Sequence, residues 1–422
     1  ETGFGAAYGF ALIVIGQTVL LAYGRFVSGK STHMMLNTLT GQLESPASIA
    51  LIYNSMDNGP ALIFVDNRLE PEFRMMQSAD WTHLRCIKRT DHLKQRRLLT
   101  DGTMVSEIGL GCLSFAGFYG PTSEVASHQT LAAALDLGID FIDTANVYGM
   151  GKSESMIGSF LKGNADKFTI ATKAGIARDP ETGVRGFNNK PDHLRAELEK
   201  SLKRLGVDHV ALYYIHRRDP DLEIEEVMET LLALKAEGKI RGIGFSEISP
   251  ASLRRAASVG PVDAVQSEYS LWTRTPDLGM VQTCAELDVA FVPFSPLGRG
   301  IFASKTPDPA QFEDTDFRIA NPRFTEPNFS FNVAMVEGFK AYAADLGTTP
   351  IALSLAWCLA QGDHLLPIPG TRSANHLAEC AAASEFQMSD DIKAEIDRIL
   401  PVGWAHGDRY TRAQWVGVEN YC

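Results

Sequence analysis

The chain contains 422 residues, of which 45% are hydrophobic and 21% charged, and this composition excludes a collagen-like or wholly disordered protein. The 39 Lys and Arg residues against 51 Asp and Glu residues give a formal net charge of −12. Nucleic acid is therefore not expected as a partner, because a protein that neutralises phosphates needs the opposite balance. The six cysteines are scattered without a CxxC pair, which predicts no metal site and favours the reducing cytoplasm.

The first 95 residues differ from the remainder, and we predict an N-terminal extension of uncertain fold over 1–95 and a folded domain over 96–422. An uncharged run over residues 4–23 is long enough to cross a bilayer as a helix. Its small residues and Gln17 weaken this interpretation, and it lacks the preceding positive charge of a signal peptide. A membrane partner is not expected, but this run keeps the question open.

A second interpretation of the extension starts at residue 24. The stretch GRFVSGKS over 24–31 fits the pattern G-x-x-x-x-G-K-S, in which backbone N–H groups and a lysine hold a phosphate. The apolar run 61–66 ends in an acid, where a residue that holds magnesium would lie. The segment resembles the start of a P-loop NTPase, although it is too short for the complete sheet. A truncated P-loop segment, a membrane or core helix, and sequence without an independent fold all stay open.

After residue 98, short apolar runs alternate with amphipathic stretches, which is typical of strands and helices joined by loops. We predict strands at 141–143, 169–173, 211–216, 242–246, 264–266, 290–294, 365–368 and 385–387. We predict helices at 127–137, 190–205, 224–237, 250–258 and 331–346. Asp192 is expected to cap the second helix, and Gly138, Gly206 and Gly238 stand just past helix ends, where a left-handed residue is needed.

Eight strands that alternate with helices predict an α/β protein with the (β/α)8 fold of a TIM barrel, because parallel strands need crossover helices and close at eight. The rival fold is an open doubly wound sheet. That fold usually shows a glycine-rich turn after its first strand, and none follows Asp143. The dipeptide Asp101-Gly102, between two short runs, predicts a β-hairpin that precedes the barrel.

Polar residues stand where the predicted strands end, which is the edge that carries the chemistry of this fold. Asp143, Lys173 and His216 close three successive strands, and Tyr148 follows the first of them. Each residue alone has a simpler explanation, such as a helix cap for the Asp or packing for the Tyr. Together they can form an acid site, because an ammonium group stabilises a phenolate and a carboxylate keeps that amine charged. No side chain supplies a hydride, so a nicotinamide cofactor is implied.

The motifs around these positions resemble the aldo-keto reductase family. They occur in family order over residues 97–400 and read IGLGC (108–112), DTANVYG (143–149), ATKAG (171–175), YYIHR (213–217), GIGFSE (242–247), VQSEYS (265–270), SPLGRG (295–300) and PIPGTR (367–372). The resemblance implies that Tyr148 is the general acid, that Lys173 and Asp143 lower its pKa, and that His216 orients the carbonyl of a small-molecule substrate.

The resemblance also implies a set of cofactor contacts. They fall on Ser246, Gln266, Phe294, Ser295, Leu297, Gly298, Gly370, Thr371, Arg372 and Glu379. In the family these positions hold, in turn, the nicotinamide carboxamide, the nicotinamide ring, the pyrophosphate and the adenosine with its 2′-phosphate. Arg372 favours NADPH over NADH, because a guanidinium group matches a phosphate dianion in a bidentate way.

The chain departs from the family pattern at Glu247, where an Asn amide is common, and at Cys380, where the adenine-side motif commonly has Asn. Both leave the reaction intact and make the carboxamide and adenine contacts less certain. The expected substrate contacts lie in loop 115–119, at Trp272 and in loop 302–329. Two acids in that last loop, Asp314 and Asp316, would disfavour anionic substrates.

The sequence supports three candidate functions. The first is an NADPH-dependent oxidoreductase that reduces an aldehyde or ketone to an alcohol. The second is a cofactor-sensing regulatory subunit with the same barrel, of the kind found with potassium channels, although a pure sensor can lose members of the acid group and all four are present here. The third is a P-loop NTPase fused to the barrel, which rests on residues 24–31.

Overall fold

The computed structural model describes residues 93–178 and 181–421 in full, together with the backbone of five strands nearer the N-terminus. These strands are β1 (Ala7–Ile15), β2 (Thr18–Phe26), β3 (Ile49–Ile52), β4 (Asn54–Ser55) and β5 (Gly59–Pro60). The chain divides into two compact units, Glu1–Thr90 and Asp91–Cys422. The predicted boundary after residue 95 stays a prediction.

In the first unit, β1 pairs antiparallel with both β2 and β3. The backbone over 7–15 and 18–23 is therefore extended, and the helix considered for the run 4–23 is wrong for those residues. Within the part of the chain that the structure describes, no helix has the length and apolar character needed to cross a bilayer. The P-loop pattern falls mostly on residues 27–31, which lie outside the described residues.

The second unit alternates strands with helices. Its strands are β6 (Gln95–Arg97), β7 (Met104–Ser106), β8 (Leu110–Gly111), β9 (Phe141–Asp143), β10 (Thr169–Ala174), β11 (Ile176–Arg178), β12 (Arg185–Phe187), β13 (Val210–Ile215), β14 (Ile240–Ser246), β15 (Ala264–Glu268) and β16 (Ala290–Phe294). Its helices are α1 (Glu124–Asp136), α2 (Lys152–Leu161), α3 (Pro191–Leu205), α4 (Ile224–Ala236), α5 (Pro250–Val259), α6 (Met280–Glu286), α7 (Asn328–Asp345), α8 (Pro350–Leu359), α9 (Ala374–Ala381) and α10 (Asp390–Ile399).

Seven strands form one parallel sheet in the order β16-β15-β14-β13-β10-β9-β8. An eighth segment, residues 365–368, bridges β16 in parallel, and its continuation bridges β8 at Gly111 and Gly370. The sheet thus closes into the predicted (β/α)8 barrel. One predicted strand is wrong, because residues 385–387 are not a strand, and one strand was not predicted, because the ring begins with β8.

The closing contact between the eighth segment and β8 brings two backbones close together. The amide of Gly109 donates to the carbonyl of Pro367 at 3.0 Å, and that of Gly111 donates to Pro369 at 3.1 Å. A Cβ atom at Gly111 would lie 2.8 Å from the carbonyl oxygen of Ile368, so the approach requires glycine. This explains why β8 is short and has no apolar run that would predict it.

The predicted hairpin is confirmed, with β6 and β7 paired antiparallel on either side of Asp101 and Gly102. Its buried Leu98 and Leu99 belong to the same apolar cluster as the side chains inside the barrel. Thr100 donates from its amide and its hydroxyl to the carboxylate of Asp263, at 2.8 and 2.7 Å. The hairpin therefore fills the amino-terminal end of the ring and leaves the carboxyl-terminal end as the mouth.

The helix ends follow the expected glycine pattern. Gly138, Gly206 and Gly238 have φ values of 76°, 70° and 76°, in the left-handed region where glycine is favoured. The expected cap at Asp192 is wrong, because α3 begins at Pro191 and Lys190 occupies the N-cap. Proline at the first helical position has no N–H that needs a partner, so the helix starts there without a capping side chain.

Candidate active site

Three neighbouring strands bring the predicted acid group together. Asp143 ends β9, Lys173 lies in β10 and His216 follows β13, while Tyr148 lies in the loop after β9. The register pairs Ala171 with Asp143 across β10 and β9, so the side chains near these strand ends meet at the mouth. The arrangement follows from topology, because parallel neighbours present their carboxyl ends at one edge.

The amine of Lys173 is the centre of this group. It is fully buried, forms an ion pair with Asp143 and donates to the carbonyl of Thr144 at 2.7 Å. It also lies 3.5 Å from the hydroxyl of Tyr148, at the outer limit of a hydrogen bond. The second carboxylate oxygen of Asp143 accepts from the amide of Gln266 at 2.9 Å, which fixes the orientation of the pair.

The charges of this group act on Tyr148 in opposite directions. Burial raises the pKa of the phenol above its ordinary value, the charge of Lys173 lowers it, and the charge of Asp143 raises it again. The expectation that both Lys173 and Asp143 lower this pKa is therefore wrong for Asp143, and the pKa as a whole lies above the ordinary value. Tyr148 is consequently protonated at neutral pH, with an ammonium group beside it that stabilises the anion left after proton transfer.

The ionisation of Lys173 follows from the same pairing. Burial lowers the pKa of its amine, but the charge of Asp143 and the phenol of Tyr148 raise it, and the result is above the ordinary value. Burial also raises the pKa of Asp143, against the effects of Lys173 and Gln266. The amine thus keeps its charge at neutral pH, as a group that stabilises a phenolate must.

His216 faces Tyr148 edge to face, with ring centroids 5.7 Å apart. Burial lowers the pKa of this imidazole well below its usual value, and the charges of Arg217, Lys173 and Arg185 lower it further. The ring is therefore neutral near pH 7. Its Nδ1 atom is buried and bonds to no described residue, and the residue itself lines the cleft, where its ring can meet a substrate oxygen.

One cleft of about 1400 Å³ lies at the mouth and is lined by most of the predicted site residues. Those on its wall are Asp143, Tyr148, His216, Ser246, Gln266, Phe294, Ser295, Leu297, Gly370, Thr371, Arg372 and Glu379. Lys173 lies behind this wall. Gly298 is buried and does not line the cleft. Its φ is 55°, and a Cβ atom at this position would lie 2.9 Å from the ring of Trp272.

The part of the cleft at residues 370–379 suits an anion. Arg372 lies just before α9, where Ser373 is the N-cap and accepts from the amide of His376. A helix N-terminus with an adjacent guanidinium group favours a phosphate. At the other end of the cleft, the hydroxyl of Ser246 and the amide of Gln266 lie at strand ends near Phe294. The wall thus fits a long ligand with an amide and ring at one end and a phosphate at the other.

Glu247 is turned away from this wall. Its carboxylate forms a buried ion pair with Arg409 and accepts from the amide of Glu268 at 2.8 Å. The charge of Arg409 holds the pKa of Glu247 below its usual value despite burial. Glu247 therefore anchors the C-terminal segment, 401–421, and its carboxylate is not available to contact a carboxamide.

The expected substrate loops contribute unequally. Phe118, Tyr119 and Phe317 line the cleft, whereas Trp272 stacks on Trp404 with centroids 6.0 Å apart. Most other aromatic residues of loop 302–329 pack into the protein. Several residues of the cleft wall were not predicted from the sequence: Arg178, Arg185, Arg217, Arg299, Tyr410 and Gln414. The motif YYIHR contains Arg217, but nothing in the sequence shows that residues near 410 return to the mouth.

Comparison with known proteins shows to which family the chain belongs. The model of the Aldo/keto reductase family matches residues 107–401, which is more than half of the chain. The chain belongs to this family. A curated aldo-keto reductase, the yakc protein (NADP⁺) of Schizosaccharomyces pombe, is 41% identical over 311 residues, covering 72% of this chain and 92% of its own length. A probable aldo-keto reductase 1 of Glycine max is 39% identical over 318 residues, covering 74% and 91%.

Solved aldo-keto reductases share the barrel. The glycerol dehydrogenase of Gluconobacter oxydans matches with a TM-score of 0.66 and 29% identity, over 72% of this reductase and 94% of that chain. A thermostable aldo-keto reductase in complex with the inhibitor epalrestat matches with a TM-score of 0.57 and 26% identity, over 73% and 100%. The fold predicted from strand spacing is therefore that of known members of the family.

Proposed function

We propose that this aldo-keto reductase reduces an aldehyde or ketone to an alcohol with NADPH, and that Tyr148 is the general acid. The observation that carries the proposal is the chain of contacts from Asp143 to Lys173 to the hydroxyl of Tyr148 at the wall of the cleft. When bound, NADPH supplies the hydride for the carbonyl carbon. The named yeast relative is an NADP⁺ protein, which agrees with this cofactor.

The residues of this chain carry out the proton transfer. Tyr148 gives its proton to the carbonyl oxygen as negative charge develops there, and Lys173 stabilises the phenolate that results. Asp143 keeps Lys173 charged, and neutral His216 donates to the same oxygen and orients it. Because Lys173 already lies beside the phenol, little reorganisation is needed when the charge moves.

The cofactor contacts are likewise part of this proposal. Gln266 and Ser246 hold the carboxamide, Phe294 packs on the ring, and Arg372 binds the 2′-phosphate. Each of these side chains lies on the wall of the same cleft. Because Glu247 is paired with Arg409, the carboxamide contacts left among the predicted residues are Gln266 and Ser246.

We also propose that the enzyme works in the cytosol. This agrees with its free cysteines Cys112, Cys284, Cys358 and Cys380.

The test replaces Tyr148 with phenylalanine, which removes only the hydroxyl group of this side chain. Tyr148→Phe should lower kcat by about 10²–10⁴-fold, which is the usual contribution of general acid catalysis, while NADPH binding measured by fluorescence is unchanged. Turnover would be followed as NADPH consumption on a panel of pyridoxal, short aldehydes and aromatic ketones. Tyr213→Phe is the matched control, because its buried hydroxyl donates to the carbonyl of Leu194 outside the cleft. Full turnover by Tyr148→Phe would refute the assignment.

A further inference from the structure

The strand order divides the mouth into two halves. The residues assigned to the cofactor follow β14, β15, β16 and the segment 365–368, which are neighbours in the ring. The other half is formed by the loops after β9, β10 and β13, including the β11–β12 hairpin. The part of a substrate beyond its carbonyl group has this second half available to it, and the charge of that half therefore bears on substrate choice.

Two arginines of the second half form no ion pair with a carboxylate among the residues that the structure describes. Arg217, directly after His216, and Arg185, on β12, both line the cleft. Neither forms an ion pair with any residue in the described part of the chain; their bonds go to backbone carbonyls and one hydroxyl. We call Arg185 and Arg217 the arginine pair.

Other buried cations around the mouth are neutralised. Lys173 pairs with Asp143, Arg409 pairs with Glu247, and Arg299 pairs with Glu268 at 2.8 Å. A carboxylate therefore pairs with each of these three cations, whereas neither member of the arginine pair forms an ion pair with a carboxylate of residues 93–178 or 181–421. This local surplus occurs in a chain whose net charge is −12. A buried cation without a counter-ion is costly, and an anionic ligand would remove that cost.

Arg217 is the buried member of the arginine pair, with 7% of its surface exposed. Its Nη1 atom donates to the carbonyl of His216 at 2.6 Å and to the hydroxyl of Ser246 at 3.0 Å. Its Nε atom is buried and has no partner among the described residues. A buried N–H without an acceptor is destabilising, and a guanidinium group can bind a carboxylate in a bidentate way.

Arg185 lies nearer the entrance and is half-buried. Its Nη1 atom reaches the carbonyl of Val416 at 3.4 Å, and its guanidinium lies 5.1 Å from the centre of the Phe187 ring. Burial lowers the pKa of Arg185, and the charges of Arg217 and Arg178 lower it further. Both guanidinium groups belong to residues on the wall of the same cleft.

We propose that the arginine pair binds the carboxylate of the substrate, so that the preferred substrates of this enzyme are aldehydes or ketones that carry a carboxylate. This inference rests on the proposed reductase function and names its substrate class. The acids of loop 302–329 do not oppose it. Asp316 is buried in a bidentate pair with Arg318, at 2.9 and 2.7 Å, and Asp314 is exposed outside the cleft. The sequence-based expectation that these acids disfavour anions is not supported by their positions.

The test compares two substrates that differ only in charge, 4-formylbenzoate and its methyl ester. For the wild-type enzyme, kcat/KM should be higher for the carboxylate. Arg217→Gln and Arg185→Gln should each lower kcat/KM for the carboxylate by about ten- to a hundredfold, which corresponds to the loss of one charged hydrogen-bonding partner. The ester should be affected much less, and the loss should appear mainly in KM.

Arg241→Gln is the matched control, because it removes a positive charge at the other end of the barrel, where Arg241 bonds Asp101 and Thr103. Arg241→Gln should leave the ratio of kcat/KM for the carboxylate to kcat/KM for the ester unchanged. If Arg217 only held His216 and Ser246 in place through its hydrogen bonds, Arg217→Gln would lower kcat/KM for both substrates equally. That result would overturn the inference. So would a wild-type enzyme that does not prefer the carboxylate.

A binding measurement makes the test independent of turnover. Benzoate should bind to the NADP⁺-loaded wild-type enzyme in a calorimetric titration, more weakly as KCl is raised, and at least tenfold more weakly to Arg185→Gln. Within residues 93–178 and 181–421, Arg185 has one hydrogen bond, to a backbone carbonyl at 3.4 Å, so this variant decides the question even if Arg217→Gln does not fold. Reduction of neither substrate by the wild type, with benzoate still bound, would contradict the reductase proposal and leave the anion site standing.

Discussion

Replacing Lys173 with Met separates the two functions of the buried ion pair. Asp143 is 2% exposed, and without the amine its carboxylate keeps one bond, from Gln266. Breaking a buried pair by removing one partner costs about 3–5 kcal/mol, so the free energy of unfolding of Lys173→Met should fall by about this amount. The double variant Asp143→Asn/Lys173→Met buries no charge and should lose only about 1–2 kcal/mol, for the hydrogen bonds that it gives up.

The assay is urea unfolding of both variants and the wild type, followed by tryptophan fluorescence. In Lys173→Met the folded-state pKa of Asp143 is raised above its unfolded value of about 3.9, because burial raises it and the opposing amine is gone. As the pH rises above that value, the unfolded state loses its proton first, so the stability of this variant falls with rising pH. The difference between the single and double variants should therefore be large at pH 7–8 and shrink towards pH 4.

Catalysis should behave differently from stability. Both variants lack the ammonium group beside Tyr148, so both should lose kcat by at least about 10²-fold, although the double variant regains stability. Equal unfolding free energies for the single and double variants at pH 7 would refute the reasoning, since they would mean that no uncompensated charge is buried. Wild-type turnover in either variant would refute the role of Lys173.

Two further measurements test the site. Arg372→Ala should weaken NADPH binding by about ten- to a hundredfold and NADH binding little, because only NADPH has the 2′-phosphate that this guanidinium matches; equal losses in the two dissociation constants would contradict the assignment. Because burial and three neighbouring cations hold the pKa of His216 well below its usual value, kcat/KM should stay flat from pH 8 down to pH 6 at constant ionic strength. A change in kcat/KM with a midpoint near pH 6.5 would show that the pKa of His216 is not lowered by its surroundings and would contradict this prediction.

Local patterns were enough to predict much of the barrel. The strands at 141–143 and 290–294 have the predicted bounds, because buried parallel strands are short apolar runs between polar loops. The strand predicted at residues 385–387 is wrong. Phe386 follows a 3-10 turn, Ala382–Glu385, and packs onto the core outside any strand. A single apolar residue between polar ones resembles the period of a strand without being one.

The acid group was predictable because its members end consecutive strands, whereas the rest of the mouth was not. Arg409 meets Glu247 across 162 residues of sequence, and no local pattern encodes such a contact. The same holds for the arginine pair, since the sequence does not show that Arg185 and Arg217 form no ion pair with the described carboxylates; that requires the positions of their neighbours in space. The composition shows that the whole chain is negatively charged, whereas the arginine pair gives its half of the cleft a positive charge.

Arg372 also takes part in the contacts that close the ring between the eighth segment and β8. Pro367 and Pro369 have no N–H, so hydrogen bonds between their segment and β8 run in one direction only. Two further bonds reach across from the loop after β8: the hydroxyl of Ser114 donates to Thr371, and Arg372 donates to the carbonyl of Gly120 at 2.7 Å. The side chain assigned to the dinucleotide thus also links the last segment of the ring to the loop after β8. A guanidinium group has five N–H donors, so Arg372 can keep this bond and still bind a phosphate, and the contact that closes the ring then holds the phosphate ligand in position.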